Sequence, residues 1–456
     1  MHRMLSALPL LFCFSVVAHA QSVLLSPATD QNVAQPHNTS LNATVFEKIR
    51  YADQFPGADA CIKINNAILD LPATGGTVDA RAFEGTPSTN ALLNCSGGVN
   101  LSVPMKLLLG AATYSWTFSY PIFTITSSGV SIEGLGRAGT TILTPPANTT
   151  AIYAAQGLDS TAIRHLEVEG NSTSTSGFAI QIDAAASPAN NSTFMIEDVY
   201  VYGGNAGVQA IRPINSTLKD VRVSATVADG FDFIGDGTTV TCINCYANGD
   251  GGYGFAVVGI ADATFIGGEA DTNGKDGLLA EMSSASQSTT GLTLSGLDIE
   301  ANHGNGVHLI NAGGTSISGS VVINNGADGV QMCGGTGLSM SGGRIAHNGG
   351  YAVDLAPSGC TYTGSTSAAD VAVVSVLADV ANVSGFFNDP NHLAMAYMPS
   401  QLGPSRSASV ILGGASWGVG TVAPGGSCAP GSIFSNLSGG SGSTLYVCEG
   451  GTWAAK

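Results

Sequence analysis

The sequence predicts an all-β chain folded as a right-handed parallel β-helix, a solenoid of stacked coils with an N-terminal cap and a small C-terminal β unit. Three observations predict it. A glycine followed by an apolar-x-apolar triplet recurs at Gly207, Gly230, Gly254, Gly277, Gly306 and Gly329, with Ala352 in the last copy, at steps of 23, 24, 23, 29, 23 and 23 residues. A second signature precedes each glycine and alternates apolar with polar residues, the period of a strand rather than a helix. Composition agrees: Gly supplies 61 of 456 residues and charged residues only 10%, which favours short strands and tight turns.

The elements follow in order. Residues 1–20 read as a secretory signal, with Arg3, an apolar run from Leu5 to Val17, and Ala18-His19-Ala20 as the cleavage pattern. That run is too short to span a bilayer, and no later stretch is long enough. The mature chain is therefore expected to be secreted, extracellular or periplasmic, after cleavage near Ala20. Residues 21–50 form an N-terminal arm. Residues 51–145 hold a cap and the first coils, with a short amphipathic helix expected over Ala58–Ile68.

Residues 146–385 carry the coils. The second signature reads Leu218-Lys219-Asp220-Val221, Cys242-Ile243-Asn244-Cys245, Leu294-Ser295-Gly296-Leu297 and Met340-Ser341-Gly342-Gly343. Its third residue is Asp, Asn or Gly, types that tolerate the left-handed backbone a sharp corner needs. Phe231, Phe255, Leu278, Val307, Val330 and Val353 should then stack as one inward column. Gly177 opens an earlier, looser copy. The six extra residues between Gly277 and Gly306 fall in Glu281–Thr290 and predict a longer loop. Residues 386–424, with Pro390, Pro399 and Pro404, read as an irregular linker, and 425–456 as a small disulfide-tied module.

Nine cysteines less Cys13 of the signal leave an even number in an exported chain, a disulfide pattern. Cys428–Cys448 is the first expected pair, and Cys61–Cys95 and Cys333–Cys360 follow by proximity. Cys242 and Cys245 have redox-type spacing but fall on inward positions, which makes them structural. Zinc is not expected, because no second paired motif follows.

The succession Ala58-Asp59-Ala60-Cys61-Ile62-Lys63-Ile64-Asn65-Asn66-Ala67-Ile68, Gly75-Gly76-Thr77-Val78 and Gly129-Val130-Ser131-Ile132-Glu133-Gly134-Leu135-Gly136 resembles the N-terminal cap of the pectate-lyase-like superfamily, in its rhamnogalacturonase- and epimerase-like branch. With the coils, the resemblance covers residues 45–385. It implies a β-helix and a carbohydrate substrate, but no single reaction, since the superfamily holds hydrolases, lyases, epimerases, tailspikes and adhesins. Val227-Ala228-Asp229-Gly230-Phe231-Asp232 is similar to the polygalacturonase motif N-T-D-G-x-D, which would make Asp229 catalytic. The remaining polygalacturonase motifs are altered. Their Asp pair falls on Gly252-Tyr253 with Asp250 nearby, their histidine on Asp276, and their Arg-x-Lys on His308-Leu309-Ile310.

In that superfamily the groove follows the strand after the repeat glycine. The outward column here is Asp232, Ala256, Leu279, His308, Gln331 and Asp354, walled by the turn residues Asp229, Tyr253, Asp276, Asn305 and Asp328. Glycoside hydrolysis needs two carboxyls, roughly 5–5.5 Å apart for retention or 6.5–9.5 Å for inversion. Asp229, Asp232, Asp250, Asp276 and His308 are the catalytic candidates, with Asp229–Asp250 or Asp232–Asp276 as acid and base. Lys275, Gln331 and Tyr253 are the substrate-binding candidates, and Lys275 is the cation a lyase would use. Turn chemistry alone also favours Asp-Gly, so the same aspartates have a structural reading.

On another face, outward Glu269, Asp271, Asp298 and Glu300 should stack as an acidic patch, a candidate calcium site or simply a solvated face. No other cofactor is implied. A net charge of −17 excludes nucleic acid as a partner. The expected function is a secreted polysaccharide hydrolase or lyase acting on an acidic, pectin-like glycan. The alternative is a non-catalytic β-helix that binds glycans or surfaces, like an adhesin or tailspike. Monomer and homotrimer both stay open.

Overall fold

The computed structural model describes residues 48–85, 91–136, 140–182, 192–283, 289–354 and 421–456, and the strands between 372 and 420. The signal segment, the arm up to residue 47 and Cys360 lie outside the described residues. The chain forms a parallel β-solenoid of about 12 turns, a right-handed β-helix as the repeat predicts. Strands pair with the coil before and the coil after and not within their own coil, so each rung is held by its neighbours.

The predicted register is the observed one. Val208, Phe231, Phe255, Leu278, Val307, Val330 and Val353 are successive partners in one parallel sheet. Each is 0–1% exposed, so the column is the centre of the core. The looser copy at Gly177 joins in register, Ile180 pairing with Val208. The corners are left-handed as expected: Asp220, Asn244, Gly296 and Gly342 have φ of 53°, 51°, 66° and 64°.

The repeat glycine has a different reason. At Gly254, Gly277, Gly306 and Gly329 the backbone does not need positive φ. Instead a Cβ would lie 2.7–2.9 Å from the amide nitrogens of Asn273, Asn302, Asn325 and Asn348, which fill that space from the following coil. Glycine is there to make room.

At the N-terminal end the helix spans Ala60–Leu69, close to the expected span. Asp59 caps it, accepting from the Ile62 N–H at 3.0 Å. Its buried stripe of Cys61, Ile64, Ala67 and Ile68 has helical spacing. The Cys61–Cys95 disulfide ties it to the strand Ala91–Cys95. Cys242 and Cys245 also form a disulfide, closing across the corner at Asn244, and Cys428–Cys448 pairs as expected. Cys333 is disulfide-bonded as well.

Two expectations need correction. The irregular linker is not irregular: Gly385–Asn388 and Ala394–Ala396 add rungs, the first pairing with Tyr351–Asp354. The C-terminal unit begins before residue 425, because Ala408–Leu412 and Ala415–Gly420 form a hairpin in its five-stranded sheet. Prolines and loss of the 23-residue step hid these strands, although the short apolar run Val410-Ile411-Leu412 is rich in strand-favouring residues. Among the described residues no helix is long and apolar enough to cross a membrane.

Candidate functional site

The strand after each repeat glycine points one residue per coil away from the core. In order these are Gln181, Gln209, Asp232, Ala256, Leu279, His308, Gln331 and Asp354, each the register partner of the next. Coils stack at roughly 4.8 Å, so this column is a straight row of side chains. Ala256 and Leu279 hold their places in the outward column but are only 3% and 4% exposed, so the row is covered between Asp232 and His308.

The turn just before each glycine makes the wall. Here Asp229 Oδ1 accepts the Tyr253 N–H at 2.8 Å, and Asp276 Oδ1 accepts the Asn305 N–H at 2.6 Å. Asn305 Oδ1 accepts from Asp328 at 2.9 Å, and Asp328 Oδ1 from Tyr351 at 2.6 Å. One oxygen of each residue thus holds the next coil's backbone, which explains why Asp and Asn recur at this place. The second oxygen is what remains for chemistry.

On two of the aspartates that second oxygen has a partner of its own. Asp276 Oδ2 lies 2.9 Å from His308 Nδ1. An ionised carboxylate can only accept, so the ring would turn an Nδ1–H toward it. Asp328 Oδ2 accepts from Gln331 Nε2 at 2.8 Å. Burial, and then contact with the carboxyl of Asp354, push the Asp328 carboxyl above its ordinary value. Lys275 is exposed on the wall, its ammonium 4.3 Å from the centre of the Tyr253 ring. Burial, with the charges of Asp276, Asp229 and Glu281, raises the Tyr253 hydroxyl, so it stays protonated.

Asp232 stands apart from the wall. It accepts from Gln209 Nε2 at 2.9 Å, and Gln209 Oε1 in turn accepts from Gln181 Nε2 at 2.8 Å. Burial outweighs that donor, and the charge of Asp229 adds to it, pushing the Asp232 carboxyl up to about 6. A carboxyl that keeps its proton up to mildly acidic pH is suited to donate it there.

The structure therefore brings Asp229, Asp232, Tyr253, Lys275, Asp276, His308 and Gln331 to one face. Asp250 does not belong there. It is 1% exposed and sits inside the solenoid in a ladder with the four asparagines, so it cannot reach a substrate. Gln181 and Gln209 are the groove residues that sequence reasoning missed. Stepping the repeat back from Asp232 by 23 residues reaches Gln209, so the signal was present.

The acidic patch forms on its predicted face: Glu269 pairs with Asp298, and Asp271 with Glu300. Burial first, and then their neighbours' charges, raise the carboxyls of Glu269, Asp271 and Asp298. Among the described residues, the only three or more potential ligand atoms within 4.8 Å of one another belong to Asp59, Cys61 and Cys95. Both of those cysteines are in a disulfide.

No protein-family model matches the chain, and no curated protein matches it in sequence. Solved structures do. The A-module of a mannuronan C-5 epimerase from Azotobacter vinelandii is 15% identical with a TM-score of 0.51, over 77% of this chain and 100% of that one. The Dettilon tailspike protein is 12% identical with a TM-score of 0.54, over 82% of this chain and 74% of that one. The likeness is one of fold. It places the chain among parallel β-helices and leaves the chemistry to the side chains in the row.

Proposed function

We propose that the protein is secreted and hydrolyses a polysaccharide laid along this row, with Asp232 as general acid and Asp276 as general base. The observation that carries the reading is the contrast between the two carboxyls. Burial raises the Asp232 carboxyl to about 6, whereas Asp276 accepts from Asn305 and faces His308. Two coil steps separate their rungs, roughly 9.6 Å along the stack, slightly beyond the about 6.5–9.5 Å between the carboxyls of inverting enzymes. Between their rungs lie Ala256 and Leu279, 3% and 4% exposed, so a sugar here would be held by the polar side chains on either side. In this reaction Asp232 gives its proton to the leaving glycosidic oxygen. Water, losing a proton to Asp276, attacks the anomeric carbon from the other side, and His308 keeps that carboxylate aimed.

The substrate reading narrows on charge. A glycan with a carboxylate on every sugar would meet Asp229, Asp276 and Asp328 along the wall and be repelled. Lys275 offers a single cationic anchor. A neutral chain, or one charged at intervals, fits this wall better than a pectin-like polyanion.

A specific observation also favours the binding reading. One oxygen of Asp229, Asp276 and Asp328 is committed to holding the next coil, so a structural role accounts for their recurrence. One experiment separates the two. The secreted protein is incubated with neutral and sparsely acidic polysaccharides, and reducing ends, anomeric configuration and unsaturated uronate are followed. Inverted reducing ends, lost in D232N and D276N, support hydrolysis. Retention on a glycan column without any product supports binding alone, and unsaturated product points to elimination instead.

A further inference from the structure

Asn273, Asn302, Asn325 and Asn348 stack on successive coils, each 0–1% exposed. Each Oδ1 accepts the main-chain N–H of the rung before. The amide nitrogens of the first three donate to the next Oδ1 at 2.8–2.9 Å. All four also donate to a carbonyl of the preceding coil, namely Ala247, Ala270, Ile299 and Val322. Every polar atom on these rungs has a definite sense, donor or acceptor.

Asp250 occupies the first rung. Its Oδ1 behaves as the asparagine oxygens do, accepting the Thr226 N–H at 3.0 Å. Its Oδ2 stands where the other rungs carry nitrogen. A Cβ on Gly230 would lie 2.5 Å from Asp250 Oδ2, just as one on Gly254 would lie 2.7 Å from Asn273 Nδ2. Val223 pairs with Ala247, so by the repeat its carbonyl takes the place toward Oδ2 that the Ala247 carbonyl takes toward the Asn273 amide. Asn273 Oδ1 is the other neighbour that the ladder geometry supplies. Both are acceptors, and this buried oxygen makes no hydrogen bond as a bare carboxylate.

We propose that Asp250 is a protonated rung of the ladder, donating from Oδ2 into the acceptor pair of the Val223 carbonyl and Asn273 Oδ1. Losing that proton breaks the ladder beneath the turn that bears Asp229. The link to that turn is Thr226, whose hydroxyl lies 2.8 Å from Asp250 Oδ1 and 3.0 Å from the Ala228 carbonyl. Burial pushes the Asp250 carboxyl up to about 7, with the charge of Asp229 adding to it. Asp229 is the charged group that faces Asp250; Thr226 and Asn273 are neutral. The inference concerns the fold and stands whether or not the groove cuts a glycan.

The sign of the pH effect is fixed. The unfolded carboxyl ionises near 3.8, while the folded one keeps its proton up to about 7. Stability is therefore full below the lower value, falls as pH rises between the two, and levels off above. Asp250→Asn supplies a donor that does not titrate. Melting curves of the full chain and of D250N should lie close together at pH 4 and diverge as pH rises, D250N melting several degrees higher at pH 7. Asp250→Ala, which has neither donor nor acceptor, should melt below D250N at every pH. Selective carboxyl labelling of the unaltered protein should show an aspartate titrating near neutrality that disappears in D250N. Parallel pH profiles for the two proteins, or an Asp250 carboxyl that titrates near 4, would overturn the proposal.

Discussion

His308 and Asp276 meet across two coils: the ring's Nδ1 lies 2.9 Å from Asp276 Oδ2, while Asp276 Oδ1 takes the Asn305 N–H at 2.6 Å. Each carboxylate oxygen has a separate task, one holding the backbone and the other a titratable side chain. Replacing Asp276 by Asn keeps an acceptor for the backbone and removes the base. D276N should melt close to the unaltered protein yet lose roughly 10²–10⁴-fold in rate, measured as kcat on whichever glycan is cut. Loss of the fold along with the rate would mean that the backbone bond is the residue's chief role.

Asp232 sets the alkaline limb of the pH–rate profile under the hydrolase reading. Activity should fall as pH rises through about 6, where its carboxyl gives up its proton. Gln209 lowers that value by donating to the charged form. Gln209→Met should therefore move the alkaline limb upward. An unmoved limb would separate Asp232 from the acid step.

Glycines of two kinds should respond differently. Gly254→Ala drives a Cβ against the Asn273 amide, 2.7 Å away, and should cost about 1–3 kcal/mol, the usual range for overpacking. Gly296 has φ of 66° but nothing within 4 Å of a Cβ. Asn244 already sits at the matching corner with φ of 51°, so Gly296→Asn should cost well under Gly254→Ala in urea melts.

The core column is tightest at Phe255, which stacks on Phe231 with centroids 4.9 Å apart and meets Phe265 edge-on at 5.1 Å. Phe255→Ala should cost about 3–5 kcal/mol through the cavity left behind, read by denaturant melts. A smaller loss would mean that neighbouring rungs collapse into the space.

On the acidic face, burial and neighbouring charge raise the Asp298 carboxyl. Protonation relieves the repulsion, so the stability it brings is present below pH 3.8 and disappears as pH rises through the folded value. Asp298→Asn should raise the Tm at pH 7 and leave it unchanged at pH 3. A lower Tm at pH 7 would show instead that the charge is wanted, as it would be by a bound cation.

The solenoid was legible because its period is written in space-filling terms. Gly254 and Phe255 recur with Gly277 and Leu278 since each coil repeats the same crowding. The coils before Gly177 were harder to read: their rungs step by 24 to 29 residues from Asn100 to Gln209, so no single spacing stands out. Candidate residues were legible by place but not by role. Asp229, Asp250 and Asp276 are one residue type in neighbouring positions. Which one is buried under a ladder and which one turns an oxygen to the groove depends on contacts between coils, and those are invisible along the chain.

The rungs hold on to one another and scarcely to themselves. Removing the 23 residues from Val307 to Gly329 would bring Val330 onto Leu278 and Asn325's place to Asn348, rejoining both the sheet and the ladder. Length in such a molecule is modular, like the storeys of a tower, and the reach of its groove can grow or shrink by whole floors while the lattice of bonds between floors stays the same.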